Sequence, residues 1–248
     1  MHITNYYDWL LSCYFQKDRL RNVVQIGAND GRINDPIYKW VMANKQSTMI
    51  LLVEPQSEVI PFLQENYLEH PNFMVVNEAV GGKKNLTLYR LKPELWSVFT
   101  KRYLQSAPSY RVPTGFASQI KSHVLDHIRN NLPPSVDEEG AIETLNLPSS
   151  DLSEMLVRYD FPQKIDLLQV DCEGMDDEVL YCCNLFQTSP EIINFEFCHI
   201  PPERFNKLVE YLNGLGYMVY RWSKDDAIAI KGESIFNENL SPYPLLKM

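Results

Sequence analysis

Polar side chains stand directly after five short apolar segments of this 248-residue chain. Those that could do chemistry are Asp30, Glu54, Glu78, Asp171, Glu173, Glu196 and His199. If the apolar segments are parallel strands, their carboxyl ends meet at one edge of a sheet, where open α/β sheets bind ligands. Carboxylates there can hold the two hydroxyls of a ribose, and a carboxylate or an imidazole can accept a proton. The pattern therefore predicts a site for a ribose-containing ligand.

The segment QIGANDG, residues 25–31, predicts a sharp turn between a strand and a helix. Gly27 and Gly31 tolerate unusual backbone angles and let a ligand approach the main chain. The helix that follows, with Asp35 as its predicted N-cap, would offer unpaired N–H groups and a positive dipole end to an anion. Asp30 disfavours a pyrophosphate in this turn, because the two groups repel each other. A zwitterion with an ammonium group is compatible with it.

Strand and helix patterns alternate along the chain. Strands are predicted over 23–28, 49–53, 73–79, 165–174, 191–200, 217–222 and 227–231, with helices over 36–43 and 56–67 between the first three. Buried strands that alternate with helices indicate a parallel sheet with helices on both faces. The last two strands form a closing hairpin, which would place one antiparallel strand in the sheet. The prediction is an α/β, Rossmann-like, doubly wound fold with a mostly parallel seven-stranded sheet and a C-terminal antiparallel hairpin strand.

Three segments lie outside this regular pattern. Residues 1–22 contain an amphipathic helix, predicted from about residue 5 to 16, that would pack on a core domain of residues 23–231. Residues 92–142 are polar and dotted with proline, and they are predicted to be an insertion over one end of the sheet. Such an insertion is either a lid that shapes a substrate site or a surface decoration, and periodicity does not separate the two. Residues 232–248 are assigned to a C-terminal tail.

Charge and composition exclude some partners. The chain has 23 basic and 32 acidic residues, a net charge of −9, which disfavours binding to the phosphate backbone of a nucleic acid. A small-molecule or saccharide acceptor fits this charge better. The five cysteines show no CxxC spacing and are expected to be reduced thiols. The sequence shows no signal peptide and no apolar run of about eighteen residues, so a cytoplasmic protein without a membrane partner is expected.

Two common cofactors contain both a ribose and an adenine, namely a nicotinamide dinucleotide and S-adenosylmethionine. The turn lacks the GxGxxG form that suits a pyrophosphate, and it carries an acid, Asp30. The closing hairpin is used by Rossmann-like methyltransferases and not by dehydrogenases. These three features favour S-adenosylmethionine. An NAD-dependent enzyme and a module that binds a nucleotide cofactor without catalysis are the alternatives.

The segments QIGANDG, LLVEP, VNEAVGG, LLQVDCEGMDDEVL and INFEFCHIP together resemble the FkbM family of S-adenosylmethionine-dependent methyltransferases. The resemblance spans roughly residues 23–231 and implies O-methylation, commonly of hydroxyls on sugars or natural products. The cofactor contacts that it implies, taken with their sequence neighbours, are Gly27, Ala28, Asn29, Asp30, Gly31, Asp35, Glu54, Pro55, Glu78, Ala79, Asp171 and Glu173. Gln25 stands where many methyltransferases have an acid, so Asp30 or Asp171 is expected to bind the methionine ammonium group.

The predicted catalytic residues are His199, as the first choice of general base, and Asp171, as the second. An imidazole titrates near neutrality and can take the proton of an acceptor hydroxyl. His199 could instead hydrogen-bond locally in the turn that follows it, and Asp171 could serve the cofactor alone. Ser118, which resembles a serine of the family's insertion, and Glu196 are the predicted substrate contacts.

His123 and His127 stand four residues apart on the predicted helix of the insertion, a spacing that can bind a metal ion. The sequence identifies no third ligand, so no metal is predicted and the pair is assigned to a solvated or lid face. The oligomeric state stays open, with a homodimer considered.

Overall fold

The structure is a computed structural model, and it describes residues 3–16, 19–99, 106–129, 131–232, 243 and 245–248. Its strands are β1 (Arg21–Ile26), β2 (Thr48–Val53), β3 (Phe73–Val76), β4 (Ala79–Val80), β5 (Asn85–Leu91), β6 (Ile142–Ser150), β7 (Leu167–Val170), β8 (Ile192–Glu196), β9 (Tyr217–Arg221), β10 (Asp226–Lys231) and β11 (Leu246–Lys247). Its α-helices are α1 (Tyr6–Phe15), α2 (Tyr38–Ala43), α3 (Ile60–Tyr67), α4 (Arg111–Gly115), α5 (Lys121–Ile128), α6 (Leu152–Arg158), α7 (Asp176–Tyr181), α8 (Leu185–Thr188) and α9 (Pro202–Gly214), and a 3₁₀ helix spans Pro93–Val98. Within the described residues, every helix falls short of the length and apolar character that a membrane span requires.

One large sheet carries the fold, with its strands in the order β11-β9-β10-β8-β7-β1-β2-β3. Strands β3, β2, β1, β7 and β8 pair in parallel, whereas β10 pairs antiparallel with both β8 and β9. This confirms the predicted Rossmann-like fold with its closing antiparallel hairpin strand. The predicted count of seven strands omits β11, which pairs with the outer edge of β9. A strand of two residues is too short to show a periodicity in the sequence.

The large sheet is buried on both faces. On one face, Val24, Leu51 and Leu168 pack with helices α6, α7 and α9. On the other face, Val23 and Ile50 pack with helices α1, α2 and α3. Adjacent residues of β1 therefore enter opposite cores, because successive side chains of a strand alternate between its faces. Two-sided burial also explains why these strands are nearly continuous apolar runs in the sequence.

Helix α1 joins the N-terminal segment to the centre of the sheet. The side chain of Asn5 caps the helix by accepting the backbone N–H of Asp8 at 2.8 Å. Leu10 is fully buried in the second core, and the Tyr7 hydroxyl donates to Oε1 of Gln169 on β7 at 3.2 Å. The start of the chain is thereby held next to the carboxyl edge of the sheet.

A second sheet of three strands has the order β4-β6-β5, with β6 parallel to β4 and antiparallel to β5. The sequence predicts one strand over 73–79, but β3 and β4 belong to different sheets. The side chain of Asn77 donates to the carbonyl oxygens of Glu54 and Pro55, at 2.9 and 3.0 Å, between the two strands. These bonds hold the chain where it leaves the large sheet.

The insertion, residues 92–142, packs on the second sheet with a small core of its own. Its buried apolar residues are Phe99, Val112, Phe116, Val124, Ile128, Ala141 and Ile142, which pack with Leu91 of β5. Residues 100–105 and 130 of the insertion, and residues 233–242 and 244 of the tail, lie outside the described residues. The insertion is therefore a packed element that stands over the edge of the large sheet.

Candidate active site

A cavity lies at the carboxyl ends of β1, β2, β7 and β8, and the insertion forms part of its wall. The predicted cofactor contacts that line it are Gly27, Ala28, Asn29, Asp35, Glu54, Pro55, Glu78, Ala79, Asp171 and Glu173. The predicted substrate contact Glu196 also lines it, whereas Asp30, Gly31, Ser118 and His199 do not. Most of the strand-end residues are thus brought together, as their common sheet edge predicts.

Gly27 ends β1 with a φ of +75°. A Cβ atom at this position would lie 1.8 Å from the carbonyl oxygen of Asp171, which follows the neighbouring strand β7. No side chain fits at that distance, so the close approach of the two strand ends requires glycine. The N–H groups of Gly27 and Ala28 both donate to the carbonyl oxygen of Val53, at 3.0 and 3.1 Å. The turn is therefore anchored to both neighbouring strands.

Asp30 and Gly31 belong to the turn but do not line the cavity. Asp30 is fully buried, and its Oδ1 accepts the N–H groups of Arg32 and Ile33 at 3.0 and 2.9 Å. Its Oδ2 accepts the hydroxyl of Tyr110 from the insertion at 3.2 Å. In this arrangement Asp30 shapes the turn and ties it to the insertion.

The prediction of unpaired N–H groups at the next helix is wrong. Helix α2 begins only at Tyr38, and Oδ1 of Asp35 accepts the N–H groups of Ile37 and Tyr38 at 2.9 and 2.7 Å. The chain's own carboxylate thus occupies the place of an external anion. Asp35 does cap this turn, as predicted, although the helix starts two residues later than expected.

Glu54 stands at the end of β2 and is only 2% exposed. Its Oε2 accepts the N–H of Asn29 and its Oε1 accepts the N–H of Gln56, both at 2.8 Å. Burial raises the pKa of Glu54, and the two backbone hydrogen bonds partly offset that effect. Each oxygen keeps a further lone pair, so the carboxylate can also accept hydrogen bonds from ligand hydroxyls.

Gln25 leaves an acceptor atom unused beside the cavity. Its Nε2 donates to Oδ2 of Asp35 at 2.6 Å, and the residue is 3% exposed. Within the described part of the chain, no group donates a hydrogen bond to Gln25 Oε1, which is buried. An unsatisfied buried acceptor is costly, so a ligand donor here would stabilise the protein.

Glu78 lines the cavity after β3, but its carboxylate is already paired. It accepts from Nη1 of Arg158 at 2.7 Å and from the hydroxyl of Tyr159 at 2.7 Å. The hydrogen bond to Glu78 is the main reason that the pKa of the Arg158 guanidinium is raised. Glu78 therefore fixes helix α6 against this end of the cavity.

Carboxylates dominate another part of the cavity wall, where Asp171, Glu173 and Glu196 stand. Behind them the fully buried Asp176 accepts the backbone N–H of Glu196 at 3.2 Å. Desolvation raises the pKa of Asp171, and the charge of Asp226 adds to it. Desolvation also raises the pKa of Glu196, followed by the charge of Asp171. This acidic wall can accept protons and attract cations.

His199 and Ser118 lie outside the cavity lining. Nε2 of His199 is 3.7 Å from Oε2 of Glu196, and desolvation lowers the pKa of the imidazole. Ser118 is buried, and its Oγ donates to the carbonyl oxygen of Glu173 at 2.8 Å. Both residues therefore contact the acidic wall from outside the cavity.

The family model described as Methyltransferase FkbM domain matches residues 25–219. The chain belongs to the FkbM methyltransferase family. The resemblance seen in the sequence is thereby confirmed, and S-adenosylmethionine is the expected cofactor of this methyltransferase. A search of curated proteins gives no match to the chain.

Solved structures of other methyltransferases are similar to this FkbM methyltransferase at low sequence identity. A precorrin-6y C5,15-methyltransferase from Geobacter metallireducens is 12% identical, with 91% of this chain and 87% of that chain covered and a TM-score of 0.45. An S-adenosylmethionine-dependent methyltransferase from Aquifex aeolicus is 10% identical, covering 91% and 88%, with a TM-score of 0.40. An S-adenosylhomocysteine-bound methyltransferase from Podospora anserina is 9% identical, covering 92% and 78%, with a TM-score of 0.43.

The cavity of this FkbM methyltransferase fits S-adenosylmethionine on three counts. The unpaired Oε1 of Gln25 can accept a hydrogen bond from an ammonium group. Glu54 can accept hydrogen bonds from ribose hydroxyls at the end of β2. The turn residues Gly27, Ala28 and Asn29 line the cavity, so a ligand there can approach the main chain of the turn.

The insertion also supplies cavity residues that the sequence does not predict, among them Arg111, Thr114 and Gln119. Arg111 donates to the carbonyl oxygen of Ile33 from Nε and Nη2, at 3.0 and 2.8 Å. Nδ2 of Asn29 donates to the Thr114 hydroxyl at 3.1 Å. These contacts join α4 to a turn about eighty residues earlier in the chain, and no spacing pattern in the sequence reports such a pairing.

Proposed function

We propose that this FkbM methyltransferase transfers the methyl group of S-adenosylmethionine to a hydroxyl oxygen of a small-molecule or saccharide acceptor. The observation that carries the proposal is a second cavity beside the first. Its own wall includes Thr4, Asn5, Tyr7, Asp8, Lys39, Trp222, Asp225 and Asp226. It shares Asn34, Asp35, Pro36, Gln169, Asp171 and Glu196 with the first cavity. An acceptor in the second cavity would meet the cofactor at these shared residues.

The chemistry of the second cavity favours an acceptor rich in hydroxyls. Carboxylates accept hydrogen bonds from hydroxyls, and the amide of Asn5 can both donate and accept. Trp222 packs near Tyr7, with ring centroids 5.4 Å apart, and offers an apolar surface beside the polar groups. Lys39 is engaged with Asp8, 2.5 Å from its Oδ1. The remaining negative charge disfavours a phosphate-rich acceptor, in line with the prediction of no nucleic-acid partner.

The cofactor would be held along the first cavity. In this proposal Glu54 binds the ribose hydroxyls, and the turn of residues 27–29 approaches the cofactor through its main chain. The residues proposed to surround the methionine end are Gln25, Asp35, Asp171 and Glu173, and those proposed beside the adenine are Pro55, Glu78 and Ala79. The cofactor supplies an electrophilic methyl group on a positively charged sulfur. Asp30 and Gly31 support the turn itself.

Asp171 is the first candidate for taking the proton of the acceptor hydroxyl, because it lines both cavities. His199 is the second candidate. Its Nε2 lies 3.7 Å from Oε2 of Glu196, and Glu196 also lines both cavities. General-base assistance of this kind adds to the effect of aligning the acceptor oxygen with the methyl group.

The proposal is tested by following a labelled methyl group. The purified full chain is incubated with S-adenosylmethionine that carries a ¹³C-methyl group and with separate pools of monosaccharides, polyols, amines, peptides and RNA. We expect a new methoxy carbon signal in the sugar or polyol pools by NMR, and its loss in the Asp171→Asn variant.

Two outcomes would contradict the proposal. A label found on nitrogen or sulfur would exclude O-methylation, and a label found on RNA or peptide alone would exclude the small acceptor. The predictions of a homodimer and of a cytoplasmic location stay predictions.

A further inference from the structure

Two histidines and a glutamate converge outside the cavity lining. His123, Glu173 and His199 each place one ligand atom within 4.8 Å of the others. Nε2 of His123 lies 3.1 Å from Oε2 of Glu173, and the rings of His123 and His199 are 4.7 Å apart between centroids. This cluster differs from the pair His123 and His127, for which the sequence predicts no metal because it identifies no third ligand.

Three separate elements hold the cluster. His123 lies on α5 of the insertion, Glu173 follows β7 and His199 follows β8. Glu173 has a φ of +50° and is followed by Gly174 with a φ of +90°. A Cβ atom at Gly174 would lie 3.2 Å from Cβ of His199, so the glycine permits the close approach of that histidine. Ser118 fixes Glu173 through its carbonyl oxygen.

We propose that His123, Glu173 and His199 bind a divalent transition-metal ion such as Zn²⁺, with the carboxylate of Glu196 next to the site on the side of His199. Two imidazoles and a carboxylate are a common ligand set for catalytic zinc and for iron(II). Ligand atoms around a tetrahedral zinc ion stand about 3.3 Å apart, as bond lengths of about 2.0–2.1 Å require. The 3.1 Å separation between His123 and Glu173 already meets this spacing. His199 is 37% exposed at its side chain and has room to turn toward them.

Glu196 supports this assignment independently. Its Oε2 is buried and, within the described part of the chain, receives no hydrogen bond. The same atom lies 3.7 Å from Nε2 of His199. Asp171 and Asp176 add further negative charge on the same side. A dication would satisfy the unpaired oxygen and reduce the repulsion among these carboxylates.

The position of the site assigns it a purpose that rests on the proposed function. Glu173 belongs to the cluster and lines the first cavity, whereas Glu196 lies next to His199 and lines both cavities. An ion at the cluster would therefore lie beside the wall where the proposed cofactor and acceptor sites meet. A Lewis acid there can orient an acceptor oxygen and make its proton easier to remove. The His199 nitrogen that binds the metal ion cannot also accept the proton of the acceptor hydroxyl. Asp171 would then be the proton acceptor.

Metal binding is measured directly on the full chain, without cofactor or acceptor. The protein is stripped with a chelator and titrated with Zn²⁺ by calorimetry and with Co²⁺ by visible absorption. We expect one ion per chain and Co²⁺ bands typical of nitrogen and oxygen ligands. We expect Zn²⁺ binding to weaken by about 100-fold or more in each of the ligand variants His123→Gln, Glu173→Gln and His199→Gln. Changes to residues that only hydrogen-bond to a metal ligand already cost about 10–100-fold in affinity.

His70→Gln is the matched control, because His70 hydrogen-bonds to the Thr48 hydroxyl at the start of β2, at the sheet edge opposite the cluster. It should keep the parent affinity within about twofold, and thermal unfolding checks that every variant is folded. The site is overturned if the parent chain binds no stoichiometric ion, or if the three ligand variants bind as the parent does. Metal binding without methyl transfer to any hydroxyl would contradict the proposed function and leave the site intact.

Discussion

The carbonyl oxygen of Asp171 occupies the space that a side chain at Gly27 would need, 1.8 Å from an ideal Cβ. These two residues end the neighbouring strands β1 and β7, which pair in register up to Ile26 and Val170. This close contact between the two strand ends places the glycine turn next to the acidic wall in the lining of one cavity. The two strongest motifs of the sequence are therefore parts of a single structural unit.

Gly27→Ala should be strongly destabilising and should abolish cofactor binding. An alanine at positive φ costs about 1–2 kcal/mol, and displacement of a strand end adds to this. Urea unfolding and calorimetry with S-adenosylhomocysteine measure the two effects. Gly214→Ala, at the end of α9 with nothing within 4 Å, is the control and should be neutral or slightly stabilising. Parent-like cofactor affinity in Gly27→Ala would show that the turn does not shape the site.

Glu54→Ala should weaken cofactor binding by about 1–3 kcal/mol, which is roughly 5- to 150-fold, through the loss of charge-assisted hydrogen bonds. Stability should fall as well, because Glu54 accepts two backbone N–H groups. Calorimetry is therefore performed at a temperature at which the variant is folded. The exposed Glu65→Ala on α3 is the control. Unchanged affinity in Glu54→Ala would remove Glu54 from the cofactor site.

The main elements of the large sheet were predictable, because a parallel strand that is buried on both faces has a nearly continuous run of apolar residues in the sequence. The alternation of NLTLYRL also predicts the strand over 85–91, but not its pairing in a second sheet. Its strands β5 and β6 pair Leu86 with Leu147 across the whole insertion, and such long-range register leaves no local pattern. The prediction of a single strand over 73–79 is wrong, because the chain leaves the large sheet at Asn77. The side chain of Asn77 hydrogen-bonds there to the residues that follow β2, which are distant in sequence.

The candidate site was predictable where position along a strand decides the outcome. Glu54 and Asp171 line the cavity because each follows a strand at the same sheet edge. Asp30 does not line the cavity, because its side chain accepts hydrogen bonds from N–H groups of its own turn. The type of the residue does not predict whether its side chain bonds to the local backbone or faces a cavity. The approach of His123 to His199 depends on how the insertion packs, which the sequence pattern does not encode.

Glu58→Gln should flatten the loss of stability at acid pH. Arg90 is buried and donates to both oxygens of Glu58, at 2.5 and 2.7 Å. These bonds lower the pKa of Glu58 to about 2, below the value of about 4.3 expected in the unfolded chain. The stabilisation is therefore complete above about pH 4.3 and is lost as the pH falls toward about 2.

The expected size of this effect is small, below about 1 kcal/mol at neutral pH, because the Glu58 side chain is 37% exposed. Urea unfolding of the parent and of Glu58→Gln over the range from about pH 6 to pH 2.5 measures it. The exposed Glu65→Gln is the control and should follow the parent curve. A difference between Glu58→Gln and the parent that stays constant over this range would exclude the ion pair as its source.

Thr114→Val should loosen the insertion from the glycine turn. The Thr114 hydroxyl accepts from Nδ2 of Asn29 at 3.1 Å and donates within α4 to the carbonyl oxygen of Tyr110 at 3.0 Å. The change keeps the side-chain shape and removes both bonds, of which the first joins the insertion to the turn. Loss of one such buried bond costs about 1 kcal/mol, so we expect about fivefold weaker cofactor binding in calorimetry. Thr87→Val on β5, whose hydroxyl donates to Oδ1 of Asn146 on β6, is the control. If both variants bind the cofactor equally, the insertion does not close the cavity.

Asp171→Asn should separate catalysis from stability. The rate of methyl transfer should fall by about 10²–10⁴-fold if Asp171 takes the acceptor proton. The thermal midpoint should stay level or rise, because the change removes a charge that Asp226 and Asp35 repel. Single-turnover rates at saturating cofactor and thermal unfolding provide the two readings, with the exposed Glu154→Gln on α6 as control. A variant that loses both rate and stability would show that Asp171 is structural. A variant with the parent rate would leave His199, or alignment of the acceptor alone, to account for catalysis.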